Sequence, residues 1–195
     1  MAFGLFMISA VSLLGSPGPG IAALIAVGRT AGLARGLRYY AGLQVGLAAA
    51  SGLCAVGLFS LLTAFPGFLR ALTIVATIYL VYLAYKIATA PVGSALQGRA
   101  TSSRPIAGFL LGITNPKAYV AFVSLLASQS ILAGAPTADL LVKWLLMVAA
   151  MIVVDIAWLL VGVALHQAIL RPATERALNL GLGAMILGAA AISFL

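Results

Sequence analysis

GSPGPG at Gly15–Gly20 and TNPKAY at Thr114–Tyr119 are the two stretches that decide how this chain folds. Each sets a proline directly behind a small polar residue, in the middle of a long apolar run. A proline inside a helix removes a backbone donor and clashes with the preceding turn, so Pro17, Gly18 and Pro19 cannot propagate a regular helix. Ser16 before Pro17 and Asn115 before Pro116 are good N-cap residues, each followed by the residue best suited to the first helical position. Both stretches therefore read as the end of one helix segment and the start of another.

The surrounding runs belong in a membrane. Of the 195 residues, 64% are hydrophobic and 7% are charged, with a mean hydropathy of +1.19, far from the balance of soluble domains. A span needs roughly 20 apolar residues to cross about 30 Å of hydrocarbon, and about six stretches qualify: 3–28, 39–63, 68–88, 106–131, 140–164 and 177–195. They imply an all-α polytopic protein with a single transmembrane domain over 1–195. The polar connector 91–105 divides it into halves of about 1–90 and 106–195. With three spans in each half, the second half enters the membrane from the opposite side. This predicts two inverted three-helix repeats with a broken first helix in each.

Met1–Leu14 lacks the basic flank and cleavage site of a signal peptide and is predicted to be the first helix. The net charge of +8 suggests nucleic acid less than it suggests orientation, because the basic residues cluster by side. Arg29, Arg35 and Arg38 follow span one, Lys86, Arg99 and Arg104 follow span three, and Arg171 and Arg176 follow span five. The opposite side offers Arg70 and Lys143. Keeping the basic loops in the cytoplasm puts both termini outside.

In hydrocarbon, freed backbone groups cost several kcal/mol apiece unless protein or a wet cavity satisfies them. Two such breaks are therefore expected to serve a site. Half-helix N-termini present unpaired N–H groups and partial positive charge, which suits a carboxylate. Lys117, in the first turn of such a segment, opposes the helix dipole and needs compensation, from a substrate carboxylate, a lipid phosphate or Asp155. Asp155, in MIVVDIAWLLVG, is the one acid inside an expected span. It must face the bundle and either pair with a base or stay protonated.

The remaining polar residues have ordinary explanations. Cys54 reads as packing, and with no second cysteine it forms no intrachain disulfide. His166, Tyr39, Tyr40 and Trp144 lie near span ends and are expected at the headgroups. Asp139 and Glu175 are expected as exposed charges near helix ends. The pairs Gly28/Gly32, Gly42/Gly46 and Gly108/Gly112 suit close helix packing, and permit a homodimer without demanding one. One histidine, one cysteine and three acids offer no metal cluster, no cofactor is implied, and no phosphate-cradling loop is present. Transport driven by a gradient fits best. An inorganic-cation exporter or a channel-like, non-transporting membrane subunit are the alternatives.

Taken together, these motifs resemble the LysE/RhtB family of bacterial amino-acid exporters over essentially the whole chain. SPGPG is similar to its first-helix [ST]PGP motif, GFLLGITNPKAYVAFVSLL to its NPKA segment and VVDIAWLLVG to its fifth helix. The resemblance implies a six-helix inner-membrane permease that exports amino acids or close derivatives, in exchange for protons. It carries substrate contacts onto Ser16, Pro17, Gly18, Pro19 and Gly20, and onto Asn115, Pro116 and Lys117. Asp155 falls at the acidic position of helix five, where it takes a proton or the substrate ammonium. Gly20 departs from the asparagine that often follows PGP, so the substrate is not copied from a relative.

Overall fold

Proline punctuates the chain. In the computed structural model, which describes residues 2–57, 66–89, 103–167 and 171–192, six of the eight prolines open a helix. A proline there forgoes an N–H that the first turn could not pair anyway, and its fixed φ already suits the helix. The described residues form seven helices and no strand: α1 (Ala2–Gly15), α2 (Pro19–Ala55), α3 (Pro66–Ala88), α4 (Pro105–Thr114), α5 (Pro116–Leu126), α6 (Pro136–Gln167) and α7 (Pro172–Ile192). The end of the second expected span, most of the expected connector 91–105 with Arg99, and the side chain of Arg70 lie outside the described residues.

By length and composition α2 and α6 can each cross a membrane, and α4 with α5 can do so as one pair bent by 55°. The 37 residues of α2 would reach about 55 Å if straight, against a hydrocarbon core of about 30 Å. Gly32 resolves the excess. Its φ of 72° and ψ of −176° fall in a region open essentially to glycine alone. Before it, Ile25 packs on Gly162 and the carbonyl of Arg29 accepts a hydrogen bond from His166 Nδ1. After it, Gly36 meets Leu159, Tyr40 donates to the Ile152 carbonyl at 2.9 Å and Trp144 donates to the Ala48 carbonyl at 3.3 Å. Contacts that climb α6 before Gly32 descend it afterwards, so arms 19–31 and 33–55 run in opposite senses.

These contacts correct the headgroup expectation for Tyr39 and give Tyr40, Trp144 and His166 partners within the protein. Tyr39 is buried at 1% exposure, while Tyr40, Trp144 and His166 hydrogen-bond the backbone of neighbouring helices. Their polar ends satisfy protein carbonyls, which gain more from a fixed donor than from lipid.

Glycines set the closest approaches. A Cβ at Gly42 would lie 1.9 Å from the Pro105 oxygen, one at Gly46 2.4 Å from the Phe109 oxygen and one at Gly108 2.2 Å from the Tyr39 oxygen. The pairs Gly42/Gly46 and Gly108/Gly112 are thus two faces of one seam between α2 and α4. Gly28 and Gly162 play the same part between the first arm and α6. Gly32 makes the turn instead of packing.

Two expected surface charges are buried. Glu175 and Asp139 are only 7% and 6% exposed. Arg29, expected in a basic loop, is 2% exposed; its guanidinium lies 3.7 Å from the Glu175 carboxylate and donates to the Asn179 side chain. Asp139 pairs with Lys143 at 3.0 Å and accepts from the backbone N–H groups of Ile131 and Leu132. Buried charges persist only when paired and hydrogen-bonded, and here the partners come from other turns of the fold. Glu175→Ala would leave Arg29 with Asn179 but no counter-charge. The expected cost is near the lower end of roughly 3–5 kcal/mol, read as a lowered melting temperature of the purified protein.

Candidate functional site

The first break is set by two successive prolines. Each pushes the residue before it out of the helical region, so Pro17 acts on Ser16 and Pro19 acts on Gly18. The helix cannot resume before Pro19. Gly18, extended at φ −173° and ψ −173°, is the N-cap of α2, and Pro19 is its first residue. This corrects the expectation that Ser16 and Pro17 fill those positions. The Ser16 hydroxyl instead donates back to the Leu13 carbonyl at 2.8 Å, closing the end of α1. Hydrogen bonding in α2 begins with Ala22 N–H to the Gly18 carbonyl at 2.9 Å. The N–H groups of Gly20 and Ile21 precede that bond and have no partner within the helix.

The second break falls where expected. Asn115, at φ −73° and ψ 104°, ends α4 and caps α5, with Pro116 at the first position. Its cap is made by the backbone alone: the Asn115 carbonyl accepts from Ala118 N–H at 3.1 Å, and the side chain makes no cap bond.

Lys117 brings the breaks together. From the first turn of α5 its ammonium donates to the Ser16 carbonyl and, at 3.2 Å, to the Pro17 carbonyl. The compensation expected from an anion is therefore supplied, in part, by the carbonyl-bearing C-terminal end of α1, the negative end of that helix. Gly18 makes room for the lysine stem, since a Cβ there would lie 2.7 Å from Lys117 Cδ.

Asp155 projects from α6 and is 5% exposed. Its Oδ2 accepts from Gln44 Nε2 at 2.7 Å, and Oδ1 has no hydrogen-bond partner among the described residues. Lys117 and Asp155 form no direct ion pair, yet both line a single cavity of about 40 Å³. Ser16, Gly18, Gly20 and Asn115 line it too, whereas Pro17, Pro19 and Pro116 do not. The three prolines act by shaping backbone. Leu43, Leu47, Phe122 and Met151 supply an apolar wall. No residue of α4 takes part, so the cavity lies on the α1 and α5 side of the breaks.

One cation, one carboxylate and the first-turn N–H groups of α2 around a partly apolar cavity complement a ligand that carries both charges, and a cavity of about 40 Å³, room for about one water, must widen to admit it. Gln44 was not anticipated. A lone glutamine in the apolar run GLQVGLAAA was the available signal, since a polar side chain inside a span must find a partner.

The family model described as LysE type translocator matches residues 11–194. The chain belongs to the LysE type translocator family. Comparisons with curated proteins and with solved structures gave no match. Both breaks, Gln44 and Asp155 fall inside the matched region. Membership makes this a membrane translocator, and the apolar surfaces of its helices, with Ile8, Val120 and Val153 each more than 60% exposed, suit contact with lipid.

Proposed function

We propose that this LysE type translocator exports amino acids or close derivatives across the bacterial inner membrane by proton antiport. The observation that carries this reading is that Lys117 and Asp155 face one cavity at the junction of the two breaks without pairing with each other. Two opposite charges held apart beside a cavity complement a zwitterion. Lys117 uses two of its three N–H donors on the carbonyls of the first break and keeps one for the substrate carboxylate, with the N–H groups of Gly20 and Ile21 beside it. Asp155 offers Oδ1 to the substrate ammonium or to a proton. If the carboxylate takes these two ligands in alternation, export of one is tied to entry of the other.

The reversal at Gly32 and the bend at Asn115 support a six-span chain of two inverted repeats, and the basic connectors support termini outside. The glycine faces that permit a homodimer are occupied within the chain at Gly28, Gly42, Gly46, Gly108 and Gly112, so they lend a homodimer no support. A single carboxylate is sparse coordination for an inorganic cation.

The test is amino-acid efflux from loaded cells with and without overexpression. Saturable efflux that collapses on adding an uncoupler is expected. Efflux indifferent to the uncoupler would point to a pore, and metal tolerance without amino-acid efflux would point to a cation exporter.

A further inference from the structure

Asn115 stands at a helix N-cap, yet its side chain does not cap. Asparagine is favoured there because its oxygen accepts an N–H from the first turn, and here that bond is missing. The residue is only 7% exposed, and among the described residues its Oδ1 is buried without a hydrogen-bond partner and its Nδ2 makes no hydrogen bond either. Native interiors rarely tolerate this, because an unpaired buried amide loses its hydration for nothing. Asn115 is also among the residues that line the cavity shared by Lys117 and Asp155, so its buried amide borders a space that a ligand can widen. Gly20 leaves its nitrogen open, since even a Cβ there would stay 3.8 Å away.

An amide has an acceptor and a donor on the same carbon. An acceptor suits an ammonium and a donor suits a carboxylate, so one asparagine can bind both only if the two ligand groups are neighbours. The requirement holds whichever way round the amide is turned. We propose that Asn115 is the specificity-determining residue of the cavity, bridging the ammonium and carboxylate of a single ligand and so demanding that both sit on one carbon. This deepens the exporter reading and rests on it. Lys117 and Asp155 attract the two charges, and Asn115 measures the distance between them. A ligand with one more methylene between the groups leaves one end of the amide unpaired, which costs about tenfold or more in affinity.

The experiment uses the full chain purified in detergent. Thermal stabilisation is titrated with the twenty protein amino acids and, for each that stabilises, with the β-isomer, whose amino group is on the β-carbon, or with the β-homologue, one methylene longer, for glycine, serine, threonine, cysteine and aspartate. Wild type is expected to respond to the α-isomer at a concentration at least about tenfold lower. Asn115→Leu should shrink that preference to within about twofold. Asn115→Gln keeps the amide but sets it one methylene further out, and should shift the preference toward the β-isomer even if the leucine variant does not fold. Equal response of wild type to both isomers would overturn the proposal while uncoupler-sensitive efflux still upheld export. Stabilisation by none of the twenty would overturn it as well, and loss of that efflux would separately remove the exporter reading.

Discussion

On the proposed proton antiport, Asp155→Asn is expected to lower export by about 100-fold or more while the protein still inserts and purifies as a single species. The exchange preserves shape, and asparagine still offers an oxygen to Gln44 Nε2, so the hydrogen bond now 2.7 Å long survives. What disappears is the negative charge and the ability to take up a proton. Removing one side of a buried, hydrogen-bonded charge interaction costs roughly 2–5 kcal/mol, and about 2.8 kcal/mol already corresponds to 100-fold. Proteoliposomes loaded with substrate and given an imposed pH gradient supply the measurement. The decisive quantity is the ratio of flux with the gradient to flux without it, which should fall to about one. A variant that still responds in full to the gradient would remove Asp155 from coupling and leave it a structural role with Gln44. Because Asp155 makes no ion pair with Lys117, the loss should not be rescued by neutralising that lysine.

The sequence makes some of this site legible and hides the rest for identifiable reasons. The breaks are local, since a proline acts on its own turn and on the residue before it, and both were readable to within three residues. The choice between Ser16–Pro17 and Gly18–Pro19 as the new helix start follows from applying the same X–Pro rule twice. The prolines at 66, 105, 136 and 172 carry the same helix-start signal at the other elements. Arg29 could not be read in this way. Its partners Glu175 and Asn179 lie 146 and 150 residues away, and nothing near Arg29 distinguishes it from Arg35 and Arg38, exposed cations of the same helix. The partners of Lys117 were hidden for a different reason. Charge logic sought an anion, whereas the fold provides the carbonyl end of α1, whose position depends on how the first break folds.

Gly42→Leu is expected to destroy the native assembly, because the seam between α2 and α4 leaves no volume and its neighbours cannot give way. Even a methyl group at this position would sit 1.9 Å from the oxygen of Pro105 and 2.6 Å from its carbonyl carbon. Overpacking a core against flexible side chains typically costs 1–3 kcal/mol. Here the obstacles are backbone atoms at the start of α4, so relief requires moving that helix, with Gly108 and Gly112, away from the Gly42/Gly46 face of α2 and opening the whole seam. The expected penalty is more than about 3 kcal/mol, or over 100-fold in the ratio of folded to unfolded protein. It should appear as loss of the monodisperse species in detergent. Gly181→Ala on α7 is the control: no atom lies within 4 Å of a Cβ built there, and replacing a mid-helix glycine by alanine gains about 0.5–1 kcal/mol. The contrast separates contact from propensity, since both substitutions remove a helical glycine and only one meets a neighbouring backbone. A Gly42→Leu protein that melts like wild type would mean that α2 and α4 do not touch at this seam. The cavity would then lose its fixed floor, because Leu43 and Leu47, which line it, are held in place by the approach of their neighbours Gly42 and Gly46 to α4.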